Sequence, residues 1–382
     1  MDMLAEHLSQ HPLITPEIIL PSGSKTELTI SFTVLASYIE KILSHPLHLP
    51  APHFEGSSRE GSPIAAYHFG SGAFKISLIA GCHADEPTGP RLLRHLVSYL
   101  SQQESSHPLL QGYSWWIVPH ANPDGEVANR GWYTESDNHY SLPRYLQYAV
   151  RELPGDDMEY GFPIEGRTGP LRPENAFIYE LWKKAGLPFH LHASLHSMAT
   201  SFGPWFLIDP AWVGRSDTLQ EQCRKKTKEL GYLLNDIDRS GEKGFHRISE
   251  GFCTRPNSEA MKAYFLERDD PKTAALFHPS SMESIRSLGG DCLTLVSEMP
   301  FFTIPNASQS MAWPNPDYGR WQRLMANWKM ELLTGKKREE VVLQEAHHLG
   351  LRSMAVEDQM RLQWELVAAG VRQVENRRFA KS

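Results

Sequence analysis

The sequence has no Cys-x-x-Cys pair, no run of about 18 uncharged apolar residues, no low-complexity tract and no excess of positive charge. Its four cysteines, Cys82, Cys223, Cys253 and Cys292, are scattered. That spacing excludes a thiolate zinc ribbon and argues against a disulfide framework. Without a long apolar run, no spanning helix is expected. The opening Met1-Asp2-Met3-Leu4 lacks a basic n-region, so no secretory signal is expected either. Together these absences predict a cytoplasmic, reducing setting with no membrane partner. A formal net charge of −7 gives no electrostatic footprint for nucleic acid. What the chain does have is length and histidine. Its 382 residues, 41% hydrophobic and 22% charged, are enough to bury a large core in one large α/β body with an appendage or in two to three domains. Eighteen histidines are the one excess, and the question is which of them carry chemistry.

Short apolar runs alternate with amphipathic stretches through most of the chain. Lys75–Ala80, Ser114–Val118, Phe189–Leu195, Trp205–Ile208 and Cys292–Val296 read as strands. Gly89–Leu100, Glu174–Ala185 and Leu219–Leu234 read as helices, and the Pro- and Ser-rich stretch His45–Pro63 reads as loop. This alternation predicts an α/β fold, a mostly parallel or mixed sheet covered on both faces. After Pro316 the period changes, with apolar stripes at Trp321, Leu324, Trp328 and Leu332 and again from Val356 to Val374. Three parts are therefore expected: a leader over 1–55, a catalytic body over 56–315 and an all-helical extension over 316–382.

A hydrolytic zinc site needs three nitrogen or oxygen donors and one open position. His83 and Glu86, three residues apart, follow the apolar run that ends at Gly81, where open α/β sheets place their ligands. About one His-x-x-Glu match is expected by chance in a chain of this composition, so its strand-end position carries more weight than its spacing. Strand periodicity puts His190, His192, Ser194 and His196 on one face. His196 is nearest the carboxyl end, and His190 and His192 read as buried, hydrogen-bonded rings. Glu298 ends an otherwise apolar run, a costly place for a carboxylate unless it has a partner. It is the candidate general base.

In order, His83-x-x-Glu86, Asn122-Pro123-Asp124-Gly125, His196-Ser197 and Glu298 resemble the signature of the zinc carboxypeptidase family. The resemblance covers roughly residues 60–305. It implies a three-layer α/β/α fold with a central mixed sheet and one zinc per chain, held by His83, Glu86 and His196. It also implies Glu298 as general base and then proton donor, and an oxyanion-stabilising arginine for which Arg130 is the match, with Asn129 beside it at the substrate site.

The family's carboxylate clamp is altered. The segment Gly155-Asp156-Asp157-Met158-Glu159-Tyr160-Gly161-Phe162-Pro163 fits the family frame, but Glu159 and Tyr160 stand where an asparagine and an arginine grip the substrate's terminal carboxylate. An anion and a neutral phenol cannot form a bidentate, charge-assisted clamp. Glu159 would repel a free C-terminus and receive a cationic or amine-bearing group, while Arg144, Arg151 and Arg167 are near enough in sequence to replace the missing charge. By the same resemblance Glu283 is placed at the base of a side-chain pocket. The expected activity is hydrolysis of a peptide or amide bond in a small peptide or an amidated or acylated amino acid. Two other readings stay open: a deacylase like the related aspartoacylase and succinylglutamate desuccinylase group, and a zinc-binding protein without turnover.

Overall fold

A computed structural model describes residues 30–166, 171–186 and 188–379. Residues 1–29 of the expected leader, and Arg167, lie outside the described residues. Among the described residues ten strands form one mixed sheet: β1 (Phe54–Ser57), β2 (Pro63–Phe69), β3 (Phe74–Ala80), β4 (Tyr113–Val118), β5 (Leu191–Ser201), β6 (Trp205–Ile208), β7 (Arg247–Ser249), β8 (Phe252–Thr254), β9 (Leu293–Thr303) and β10 (Arg352–Ser353). The strand order is β1-β2-β4-β3-β5-β9-β6-β8-β7, with β10 on β9. The central pairs β4/β3, β3/β5 and β5/β9 are parallel, whereas β2/β4 and β9/β6 are antiparallel.

The two-residue strand period divides the core between the two faces of the sheet. Ile76, Leu78, Trp115, Ile117, Leu191, Ala193, Leu195 and Leu295 share one apolar cluster. They pack there with the helices Thr88–Ser101, Asp217–Glu229 and Val356–Phe379. On the opposite face Ile79, Trp116 and Val118 pack with Ile178 and Trp182 of the helix Pro173–Lys184. This is the expected three-layer α/β/α arrangement. His192 and His196 point away from the first cluster. His192 is buried between Ser77 and Ser281 (3.1 and 3.2 Å), the hydrogen-bonded core role its sequence position predicts.

Several boundaries differ from the sequence reading. β5 and β9 run on to Ser201 and Thr303, so His196 and Glu298 lie within these strands and not at their ends. The expected loop His45–Pro63 contains β1, which pairs with β2. The helix expected over Leu219–Leu234 stops at Glu229, just before Gly231, whose φ of 84° lies in the left-handed region that ends helices. The C-terminal part is not all-helical: β10 pairs with β9, and the helix Val356–Phe379 is part of the sheet's cover. Trp364 of that helix stacks on Trp115 with centroids 6.0 Å apart and donates its Nε1–H to the Leu35 carbonyl at 3.0 Å. Among the described residues no helix is long and apolar enough to cross a membrane.

Candidate active site

β3 ends at Ala80, and the φ of 68° at the following Gly81 turns the chain sharply; a side chain there would strike the His120 ring at 2.6 Å. The turn that follows carries His83 and Glu86, closed by the Glu86 N–H donating to the His83 carbonyl at 3.3 Å. The helix Thr88–Ser101 then starts against β5. On the neighbouring strand, His196 brings its ring to the same place. His83 Nδ1 lies 2.8 Å from Glu86 Oε1 and 3.1 Å from His196 Nδ1, and His196 Nδ1 lies 3.0 Å from Glu86 Oε2. The Ser197 N–H donates to Glu86 Oε2 at 3.0 Å and fixes that carboxylate.

Both imidazoles are backed by acceptors. His83 Nε2 faces Asp157 Oδ1 at 3.3 Å, and His196 Nε2 faces Ser194 Oγ at 2.7 Å and Glu159 Oε2 at 3.3 Å. With protons held on the two Nε2 atoms, the Nδ1 lone pairs and the Glu86 carboxylate face one another. Three acceptors so close are stable only around a shared proton or cation. A tetrahedral zinc with bonds of about 2.0–2.1 Å would space its donors by about 3.3 Å, so this set fits the ion with little adjustment. A second grouping, Cys82, Glu159 and His196, is fully buried. Burial pushes the Cys82 thiol well up, so it is no ready thiolate.

The charges show the same tension. Burial opposes charge on His83, but the carboxylates of Glu86 and Asp157 more than offset it and hold its pKa well above the ordinary imidazole value. His196, against the same burial, is raised to about 9 by Glu159 and Glu86. Burial would raise Glu86, yet the two imidazoles hold it well below the usual carboxylate range. Glu298 goes the other way: burial and then the Glu86 anion push it up to about 7.

Glu298 shares with His83 and His196 a cavity of about 230 Å³, whose wall also includes Leu207, Phe245 and Val296. Tyr160 and Glu159 line it too, but Glu159 is not an open anionic receptor. Its Oε1 accepts from Arg255 Nη2 at 2.6 Å, and Arg255 is buried. Sequence reasoning misses Arg255. Its only signal is a position just after the three-residue strand β8, which is too short to show a period of its own. Asp157 stands out in sequence as part of a frame but not as the partner of His83.

Three expected site residues lie elsewhere. Arg130 follows the helix Pro123–Asn129 and is exposed over a separate hollow with Arg94, Glu126 and Tyr133. Its neighbour Asn129 is buried and fully engaged, bonding the Gly125 and Val150 carbonyls, the Val150 N–H and Trp132 Nε1. Tying the chain inward at Asn129 turns Arg130 outward. Glu283 completes a capping box with Ser280 and bonds Ser258, holding two helix starts together instead of lining the cavity. Arg151, one of the sequence-proximal arginines, does reach the site. Its guanidinium is half-exposed, 3.1 Å from His83 Nδ1, 3.3 Å from Glu86 Oε1 and 3.5 Å from Asp85 Oδ2.

Comparison with known proteins gives three findings. Residues 37–201 match the family model for zinc carboxypeptidase, and this stretch is zinc carboxypeptidase-like in sequence. It includes His83, Glu86 and His196 and ends before Glu298. Zinc carboxypeptidase A 1 of Drosophila melanogaster is 40% identical over 63 residues, and that alignment spans 15% of this chain and 15% of the relative. Among solved structures, a metallo-carboxypeptidase from Pseudomonas aeruginosa bound to (2-guanidinoethylmercapto)succinic acid is 14% identical. Its TM-score is 0.44, over 90% of this chain and 68% of that one. Bovine thrombin-activatable fibrinolysis inhibitor is 13% identical with a TM-score of 0.46, over 91% of this chain and 97% of that one.

Proposed function

We propose that the chain is a zinc-dependent, carboxypeptidase-like hydrolase of peptide or amide bonds. His83, Glu86 and His196 would hold the metal, with Glu298 as general base. The observation that carries this reading is the convergence of two imidazole nitrogens, 3.1 Å apart, with the Glu86 carboxylate, which brings one oxygen within 3.0 Å of each, beside the cavity that His83, His196 and Glu298 line. A zinc ion bound there supplies a Lewis acid that polarises the scissile carbonyl and acidifies the attacking water. Glu298 takes that water's proton and returns it to the leaving amine. A carboxyl poised near pH 7 suits both halves of that transfer. Arg151, and not Arg130, offers the half-exposed guanidinium that can meet the carbonyl oxygen as charge builds on it.

The altered clamp changes the substrate reading. Because Glu159 is paired with Arg255, its charge is compensated and gives no reason for a cationic substrate group. The apolar wall of Leu207, Phe245 and Val296 favours an uncharged side chain next to the scissile bond. The test is turnover of a panel of short peptides, peptide amides and N-acyl amino acids by zinc-loaded and chelator-treated protein. Hydrolysis that requires zinc supports the reading, and no hydrolysis of any member by the zinc-loaded protein removes it.

A further inference from the structure

The turn Met158–Tyr160 and its cap residue Asp157 place two carboxylates, two residues apart, behind the two imidazoles. Asp157 Oδ1 stands 3.3 Å behind His83, and it is itself held by accepting the Glu159 N–H at 2.8 Å. Glu159 stands behind His196 in the same relation. Its Oε1 is fixed by Arg255 Nη2, which also donates to Ser281 Oγ at 2.6 Å. Its Oε2 is buried, has no well-directed hydrogen bond, and faces His196 Nε2 at 3.3 Å. The Ser194 hydroxyl is nearer that nitrogen, at 2.7 Å, so the Nε2 proton lies between a hydroxyl and an anion. Such groups behind a metal-bound histidine fix its tautomer and orientation, and losing one typically costs about 10–100-fold in metal affinity.

We infer that Glu159 is a positioning residue of the metal site: it acts through His196, keeping the proton on Nε2 so that Nδ1 faces the metal, with Arg255 clamping the carboxylate in place. This rests on the zinc reading above. It gives Glu159 a task that requires no contact with substrate, and it explains why an anion stands in the altered clamp with a buried guanidinium fixed to it.

The rival explanation is that Glu159 only balances Arg255, and a set of variants separates the two. Zinc affinity of the full chain is measured by competition with a chromophoric chelator, alongside the visible spectrum of the cobalt-loaded protein and thermal melting of the metal-free form. Glu159→Gln is expected to weaken zinc about 10–100-fold and to shift the cobalt bands. The double variant Glu159→Gln with Arg255→Gln, which leaves no unbalanced charge, is expected to stay as weak as the single one. Recovery of wild-type affinity in the double variant would overturn the inference, as would unchanged affinity in Glu159→Gln. If Glu159→Gln fails to fold, Glu159→Asp keeps the charge beside Arg255 but shortens the reach to His196. It must then lose affinity in a protein that melts normally, and wild-type affinity in that variant sinks the inference equally. Wild-type protein that binds no zinc would remove the metal reading itself, a separate outcome.

Discussion

His196 and Glu298 are register partners in the parallel ladder between β5 and β9. Adjacent strands lie about 4.8 Å apart, and register partners point to the same side of the sheet. The candidate metal donor and the candidate base are therefore locked side by side by backbone hydrogen bonds, without any loop between them. Glu298→Gln keeps this geometry and removes only the proton acceptor. We expect turnover to fall by about 10²–10⁴-fold while zinc content stays at one per chain. Metal analysis run beside the kinetics decides the point, because a Glu298→Gln variant that has also lost its zinc would mean that Glu298 helps to hold the ion.

Zinc binding and stability are expected to respond to pH with opposite signs. In the metal-free site His83 and His196 keep their protons above the ordinary imidazole pKa, to about pH 9 for His196. Zinc must displace those protons, so its apparent affinity rises with pH through neutrality and levels off above about pH 9. Metal-free stability moves the other way. The contribution of His196 is fully present below the ordinary imidazole pKa and is lost as pH rises through about 9. Glu298, raised to about 7, also favours its protonated form in the folded state, and that contribution is lost as pH climbs from the ordinary carboxyl range to 7. Calorimetric zinc titrations in buffers of different ionisation enthalpy report the proton release, and denaturant melts of the stripped protein report the stability. Zinc affinity that is flat between about pH 6 and 9 would contradict the charge arrangement described here.

The two arginines make a paired comparison. Arg151 touches His83 and Glu86, whereas Arg130 overlooks a different hollow. We expect Arg151→Ala to lower kcat/KM by about 10²–10³-fold and Arg130→Ala to leave it within about twofold. Zinc content of Arg151→Ala must be read as well, since Arg151 also contacts a metal donor. The reverse ranking would restore Arg130 as the oxyanion partner.

What can be read from the sequence follows a physical line. His83 and Glu86 sit in the turn after the buried strand β3, and His196 and Glu298 sit at the centres of β5 and β9, directly after apolar runs that betray the strand and make a polar residue stand out. The long strands β3, β4, β5 and β9 are legible for the same reason. Arg130 and Arg151 are not separable in sequence, because which arginine faces the site depends on how Asn129 ties the chain to Val150 across an irregular segment. Glu159 stands out as an anomaly, but the consequence drawn from it, an open anionic receptor, is wrong: its partner Arg255 is 96 residues away, just past a strand too short to register as a period. The C-terminal helix has the right stripe, but a stripe does not say which surface it covers.

That surface supplies the last prediction. The helix Val356–Phe379 carries Trp364, fully buried, stacked on Trp115 of β4 and hydrogen-bonded to the Leu35 carbonyl of the helix Phe32–Ser44. One side chain thus joins the end of the chain to a central strand and to a helix near its start. On the same helix Gln363 donates to the His196 carbonyl and to Ser297 Oγ, at 3.2 and 3.3 Å, behind the site. An appended helix would tolerate truncation of its tryptophan, but a core helix would not. Trp364→Ala opens a large cavity and removes the indole hydrogen bond to the Leu35 carbonyl, so we expect about 3–5 kcal/mol of destabilisation in denaturant melts. Because the helix also braces the His196 backbone, zinc retention should weaken in the same variant while Glu298 and the three donors are unaltered. A loss below about 0.5 kcal/mol, the usual range for surface substitutions, would show that residues 316–382 fold as an accessory to the body and not as part of it.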